Sequence, residues 1–208
     1  MSNPMRYADR DGELAVRIAR EAIEAQVTGR RKRPFEVPTL FEERSGAFVT
    51  INEHPSGELR GCIGYPQPFF PLVKSIESCA QAAATEDPRF RPMRPEELDR
   101  VTVEVSLLTP PQLIEVKKPK ELGKHVSLGV DGLSVAQGAY RGILLPQVAI
   151  DEHMDVGEFL STACMKAGLL PDAWLEPATR VYKFQAEIFT EVEPRGRKIG
   201  RASCRERV

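Results

Sequence analysis

Cys62 is the residue whose type and neighbours most suit nucleophilic chemistry. It lies in the run LRGCIG, with Gly61 and Gly64 on either side. Glycine inside a strand marks a bulge or the close approach of another backbone. At a period of two, Arg60, Cys62 and Gly64 share one face. A guanidinium two residues from a thiol favours the thiolate where both are accessible. Covalent catalysis at Cys62 would also need a base and an anion site, and the candidate bases are His54 and His153. The competing reading is a small buried cysteine beside a structural arginine. Cys79 and Cys164 fall on apolar helical stripes and read as core.

Arg60, Arg89 and Arg141 form a second set. Arginine forks match carboxylate and phosphate groups. Together with Gly61 and Gly64 these arginines are the candidate substrate-binding residues, for a small anionic ligand or an RNA backbone. The alternative is that each pairs with a local carboxylate such as Glu58, Glu86 or Asp87. In Asp87-Pro88-Arg89-Phe90, the aspartate is suited to an Asx-turn and Phe90 to anchoring the loop in the core. Asp151, Glu152, His153 and Asp155 offer donors for a divalent metal. They also open a helix near residue 156, where acids favour the helix dipole, so no metal site is assigned. His54 and His125 have no partners at ligand spacing. HExxH, Walker, nucleophile-elbow and GxGxxG patterns are absent, and no cofactor is read.

These residues need elements to hold them. Residues 9–28 carry Leu14, Ile18 and Ala22 beside Ala15, Ala19 and Ile23, the period of an amphipathic helix, with Asp9 and Asp11 as caps and Gly29 as its stop. The basic run 30–33 reads as a solvated linker. Residues 46–52 and 58–64 predict a hairpin, 71–85 a helix ended by Asp87-Pro88, and 101–108 a half-buried strand with Thr102, Glu104 and Ser106 outward. Residues 109–128 read as a connector, 132–136 and 140–145 as strands, 156–168 as a helix with Leu160 and Cys164 inward, and 180–190 as a last strand.

Strand, turn, strand with Arg-Gly, proline, helix, strand thus occurs twice. GELRGCIGYPQ (57–67) resembles GAYRGILLPQ (138–147), aligning Arg60 with Arg141. The halves 46–108 and 131–190 read either as a duplicated ββαβ unit or as a coincidence of common dipeptides.

The bulk composition fits one globular domain over residues 1–197. The 208 residues are 41% hydrophobic and 28% charged, with net charge −1. Such a chain buries enough apolar surface to fold. No apolar run approaches the roughly 20 residues of a membrane span. Residues 1–20 carry no signal peptide, so the expected location is the cytoplasm. Residues 198–208 (KIGRASCRERV) back-translate as one frame of a common short-read sequencing adapter and read as an artefactual tail; the alternative is a natural basic tail. Without its four basic residues and Glu206, the net charge is −4. Cys62, Cys79 and Cys164 then remain, with no CxxC pair, which fits reduced thiols rather than a disulfide framework.

LRGCIGYPQP (59–68), DPRF (87–90), VEVSLLTPP (103–111), LGVDGL (128–133), RGILLPQVA (141–149) and FLSTACMKAGL (159–169) occur in this order. On these motifs the chain resembles the AMMECR family, whose prokaryotic members are often called AmmeMemoRadiSam system protein A, over about residues 9–193. The resemblance implies an α+β fold with flanking helices and a larger and a smaller part. It also implies Memo-like and radical-SAM proteins as partners. It implies no established reaction. The readings carried forward are an enzyme-like or small-molecule site around Arg60 and Cys62, an RNA-binding module, and a protein-interaction adaptor. Net charge and an aromatic content of 7% stand against the second.

Overall fold

The computed structural model describes residues 7–196 and 199–202. They divide into two compact units, the first comprising residues 7–108 and 187–202 and the second residues 109–186. The fold is α+β, and its strand pairings are antiparallel.

In the first unit, α1 (Asp9–Thr28) ends at Gly29, whose φ of +69° caps the helix in the left-handed region. Its start differs in detail from the sequence reading: Ala8 is the capping position, and its N–H donates to Asp11 at 2.9 Å. One turn of helix, α2 (Thr39–Glu42), precedes the hairpin of β1 (Ala47–Glu53) and β2 (Leu59–Tyr65). After α3 (Leu72–Thr85), a 3₁₀ turn (Pro95–Arg100) leads into β3 (Val101–Leu108), which pairs with β1 and gives the order β2-β1-β3. Ile18 and Ile23 of α1, and Ile76 and Cys79 of α3, pack with Val49, Ile51, Val103 and Val105 of the sheet. Each fully buried large aliphatic side chain there contributes roughly 1.5–3 kcal/mol.

The second unit repeats that order. β5 (Asp131–Gln137) pairs with β6 (Tyr140–Leu144) on one side and with β7 (Arg180–Glu191) on the other. Its core gathers Leu133, Val135, Phe159, Leu160 and Cys164, the last three from α5 (Val156–Lys166). Asp155 caps α5, accepting from the Glu158 N–H at 2.9 Å while Glu158 accepts from the Asp155 N–H at 2.8 Å. Of the acids before residue 156, Asp155 therefore serves the helix start, while Asp151 and Glu152 close α4.

Three expectations change. The connector 109–128 contains β4 (Gln112–Leu113), paired with β7, and a 3₁₀ turn at Pro119–His125. A helix, α4 (Pro146–Asp151), follows β6; Pro146, read as a strand stop, also occupies the first helical turn, where its missing N–H costs nothing. Glu104 and Ser106 of β3 are buried, although the alternation predicts an exposed polar face. Alternation reports which face is apolar, not whether the other face is covered.

The turn and strand glycines coincide between units. Gly57 and Gly138 have φ of +75° and +56°, with open space around both. Gly61 and Gly142 are required by crowding. A Cβ on Gly61 would lie 2.3 Å from the Ala83 carbonyl oxygen of α3, and one on Gly142 would lie 2.4 Å from the Ala167 nitrogen at the end of α5. Finally, β8 (Ile199–Ala202), within the segment read as adapter-derived, pairs with residues 188–191 of β7. Backbone pairing of four residues is open to most sequences, so it favours neither origin for the tail. Residues 203–208, including Cys204, lie outside the described residues. No helix among the described residues is long and apolar enough to cross a membrane.

Candidate functional site

Cys62 sits in the middle of β2, opposite Thr50 of β1, which is in turn opposite Glu104 of β3. Directly paired residues point to the same face, so thiol, hydroxyl and carboxylate form one row across three strands. The Thr50 hydroxyl donates to Cys62 Sγ at 3.3 Å. Cys62 is half-buried, whereas Glu104 is buried and has a partner.

The backbone of Cys62 is held from the loop after α3. Its N–H donates to Asp87 Oδ2 at 2.8 Å, and its carbonyl accepts from Arg89 Nη2 at 3.3 Å. Asp87 accepts further bonds from the Arg89 N–H (3.1 Å), Nε (3.0 Å) and Nη2 (2.8 Å). The Asx-turn read from the sequence is present. The Arg89 guanidinium holds the Asp87 carboxyl well below its ordinary range, against the opposing effect of burial. Arg89 is raised by the same pair. Phe90 is half-buried rather than core. Its ring lies under both Arg60 and Arg89, with guanidinium carbons 5.8 and 5.5 Å from the ring centre.

Arg60 reaches the 3₁₀ turn before β3. Nε donates to Glu97 at 2.7 Å and Nη2 to the Arg91 carbonyl at 2.9 Å. Its carboxylate partner is thus Glu97 and not the adjacent Glu58, because Arg60 stands at the register shift between Ile51 and Asn52. Burial disfavours the Glu97 anion, but bonds from Arg60 and from the Arg94 N–H outweigh it and keep the carboxyl below its ordinary range. Gly61 admits α3 against the strand. Gly64 leaves room for the Phe48 ring, which a Cβ there would meet at 2.0 Å.

The remaining sequence candidates lie on other elements. His54 lies four residues beyond Thr50, about 13 Å away at strand rise, too far to deprotonate Cys62 directly. His153 belongs to the second unit, after α4, at a φ of +53°. Arg141 also belongs to the second unit and folds back on its own turn, donating to the carbonyls of Gly138 (2.7 Å) and Tyr140 (2.8 Å). Cys79 is buried and donates to the Ala47 carbonyl at 3.4 Å; burial pushes its thiol up to about 12. Burial also raises Cys164. The run 30–33 is a linker only partly solvated: Arg31 and Arg33 are exposed, whereas Arg30 pairs with Glu21 (2.9 Å) and Glu24 (3.1 Å), and Lys32 pairs with Glu77. Sequence reasoning missed Thr50, Glu97 and Glu104. Strand register alone could have paired Thr50 with Cys62, had the hairpin been aligned residue by residue.

The chain matches the AMMECR1 family model over residues 16–189. Protein MJ0810 of Methanocaldococcus jannaschii is 49% identical, over 91% of this chain and 94% of that protein. Protein TK0174 of Thermococcus kodakarensis is 50% identical, over 92% and 95%. Among solved structures, uncharacterized protein PH0010 of Pyrococcus horikoshii superposes with a TM-score of 0.78 at 48% identity, covering 92% of this chain and 96% of that one. With half its residues shared along nearly the whole of these relatives, the chain belongs to the AMMECR1 family.

Proposed function

We propose that this chain is a cytoplasmic, enzyme-like or small-molecule-binding protein whose working groove surrounds Arg60 and Cys62, and that it acts with Memo-like and radical-SAM partners on a small anionic ligand. The observation that carries this reading is the mounting of Cys62. Both backbone polar groups of the residue are engaged by Asp87 and Arg89, flanking glycines admit close neighbours, and the thiol stays half-exposed with a hydroxyl donor on it. The hydroxyl donor orients the sulfur. A purely structural cysteine needs no such support. Cys79, buried on α3, illustrates that simpler case.

The test is the alkylation rate of each thiol against pH, in the full chain carrying Cys204→Ser. Cys79 and Cys164 are the buried references. The expected outcome is fast reaction at Cys62 alone. A Cys62 as inert as the references would remove the reactive-site reading.

The adaptor alternative draws on Phe69 and Phe70, which are 66% and 47% exposed before α3. The RNA alternative keeps only Arg31 and Arg33 of the 30–33 run exposed, since Arg30 and Lys32 are occupied by carboxylates. The shared strand order and the paired positions Gly57/Gly138 and Gly61/Gly142 support reading the two halves as a duplicated unit within one domain. In that case Arg141 is the counterpart of Arg60.

A further inference from the structure

We infer that the depression at the edge of β2, walled by Arg60, Arg91 and Arg94, binds the phosphate group of a small phosphorylated molecule. The inference rests on Arg60 belonging to the ligand groove proposed above, but it does not depend on the thiol.

The depression encloses about 850 Å³ and is lined by Arg60, Arg91, Pro92, Arg94, Glu96 and Glu97. Arg60 forms its inner wall with a side chain only 11% exposed. Two of its nitrogens are used by Glu97 and the Arg91 carbonyl, while Nη1 is buried and donates to no acceptor among the described residues. A buried donor without an acceptor is costly, and such exceptions call for an explanation. Nη1 has almost no accessible surface in this conformation, so Arg60 acts on the depression through its charge, and a ligand oxygen becomes its acceptor only if the side chain shifts. Arg91 and Arg94 are exposed at the rim, and their guanidinium groups make no hydrogen bond or ion pair among the described residues.

The loop that carries them is already set. The Arg91 carbonyl is fixed by Arg60, and the Arg94 N–H donates to Glu97 Oε2 at 2.7 Å. Pro92 and Pro95 restrict the backbone between. Binding therefore costs little further ordering of the main chain.

Charge and shape narrow the ligand. One fork satisfies a planar carboxylate, whereas the two forks of Arg91 and Arg94, with the charge of Arg60 behind them, match an acceptor whose oxygens lie in more than one plane. The lining carries three arginines against Glu96 and Glu97. That single surplus positive charge favours one phosphate over a polyphosphate. A nucleic-acid backbone would need a basic stripe beyond this depression, and Arg30 and Lys32 are held by carboxylates.

The test measures thermal stabilisation and calorimetric binding of the full chain with inorganic phosphate, at ionic strength held constant with sodium chloride. Acetate is the planar comparison, and a ten-nucleotide polyuridine is the nucleic-acid comparison. Saturable stabilisation by phosphate is expected, with acetate at least tenfold weaker. R91A/R94A should weaken phosphate at least tenfold. R10A/R31A, which removes the same charge from exposed positions elsewhere, should change it less than twofold. R91K/R94K keeps the charge without the forks and should fall between wild type and the alanine pair. The inference is overturned by any of four results: no saturable phosphate effect, equal losses in the two alanine pairs, acetate as strong as phosphate, or tighter binding of polyuridine per phosphate. Phosphate binding is read without a thiol reagent, so an inert Cys62 in the alkylation experiment and a missing phosphate site would be told apart.

Discussion

The backbone N–H of Cys62 donates to the side chain of Asp87 at 2.8 Å, and the same carboxylate receives Arg89. The loop after α3 is thereby tied to the strand that carries the thiol. Asp87 is only 4% exposed. Its role in the fold is to hold the backbone of Cys62 against the loop.

That tie carries a pH dependence. Arg89 lowers the Asp87 carboxyl in the folded state, whereas the unfolded value is about 3.9. The stabilisation is therefore fully present above that value and is lost as pH falls below about 4. Asp87→Asn should cost roughly 2 kcal/mol at pH 7, the scale of hydrogen bonds to a charged group. The deficit should shrink at pH 3. Urea unfolding at the two pH values measures both; an equal deficit at each would show that the charge of Asp87 contributes nothing.

The crowded glycines and the turn glycines should respond differently to alanine. Gly61→Ala and Gly142→Ala each drive a Cβ into backbone, at 2.3 and 2.4 Å, and should cost about 3 kcal/mol, the upper end for overpacking. Gly57→Ala and Gly138→Ala meet open space and suffer only from their positive φ, about 1–2 kcal/mol. Denaturant midpoints of the four variants would rank them. Turn variants that lose as much as the strand variants would contradict the close-approach account.

Arg20 and Glu191 form a buried pair in the first unit, 8% and 6% exposed. Arg20 Nε donates to Glu191 at 3.0 Å, while its other nitrogens cap the carbonyls of Leu98 and Val101. Glu191 also accepts from the Val103 N–H at 2.9 Å. Arg20→Met leaves a buried carboxylate without its cation and should cost about 3–5 kcal/mol. Adding Glu191→Leu removes that charge and should recover part of the loss, leaving a deficit of about 1–3 kcal/mol from the Val103 N–H and the Leu98 and Val101 carbonyls left unpaired. The comparison is made by equilibrium unfolding. A double variant less stable than the single one would refute this apportionment.

Much of this protein is written locally. The 3.6 period of Leu14, Ile18 and Ala22 sets α1, and alternation sets β3. Motif order alone points to the family, and the apolar stripes place Cys79 and Cys164 in the cores. What tertiary structure decides is which groups meet. Arg60 takes Glu97, 37 residues away, over neighbouring Glu58. In the basic run 30–33, Arg30 and Lys32 close on Glu21, Glu24 and Glu77, while Arg31 and Arg33 stay exposed. Glu104 is buried although its strand alternates, and Thr50 is brought onto Cys62 by the hairpin register. Periodicity is a property of neighbouring residues and survives reading one chain. Charge pairing and the covering of a second sheet face depend on segments far apart in sequence, and only the folded chain brings those together.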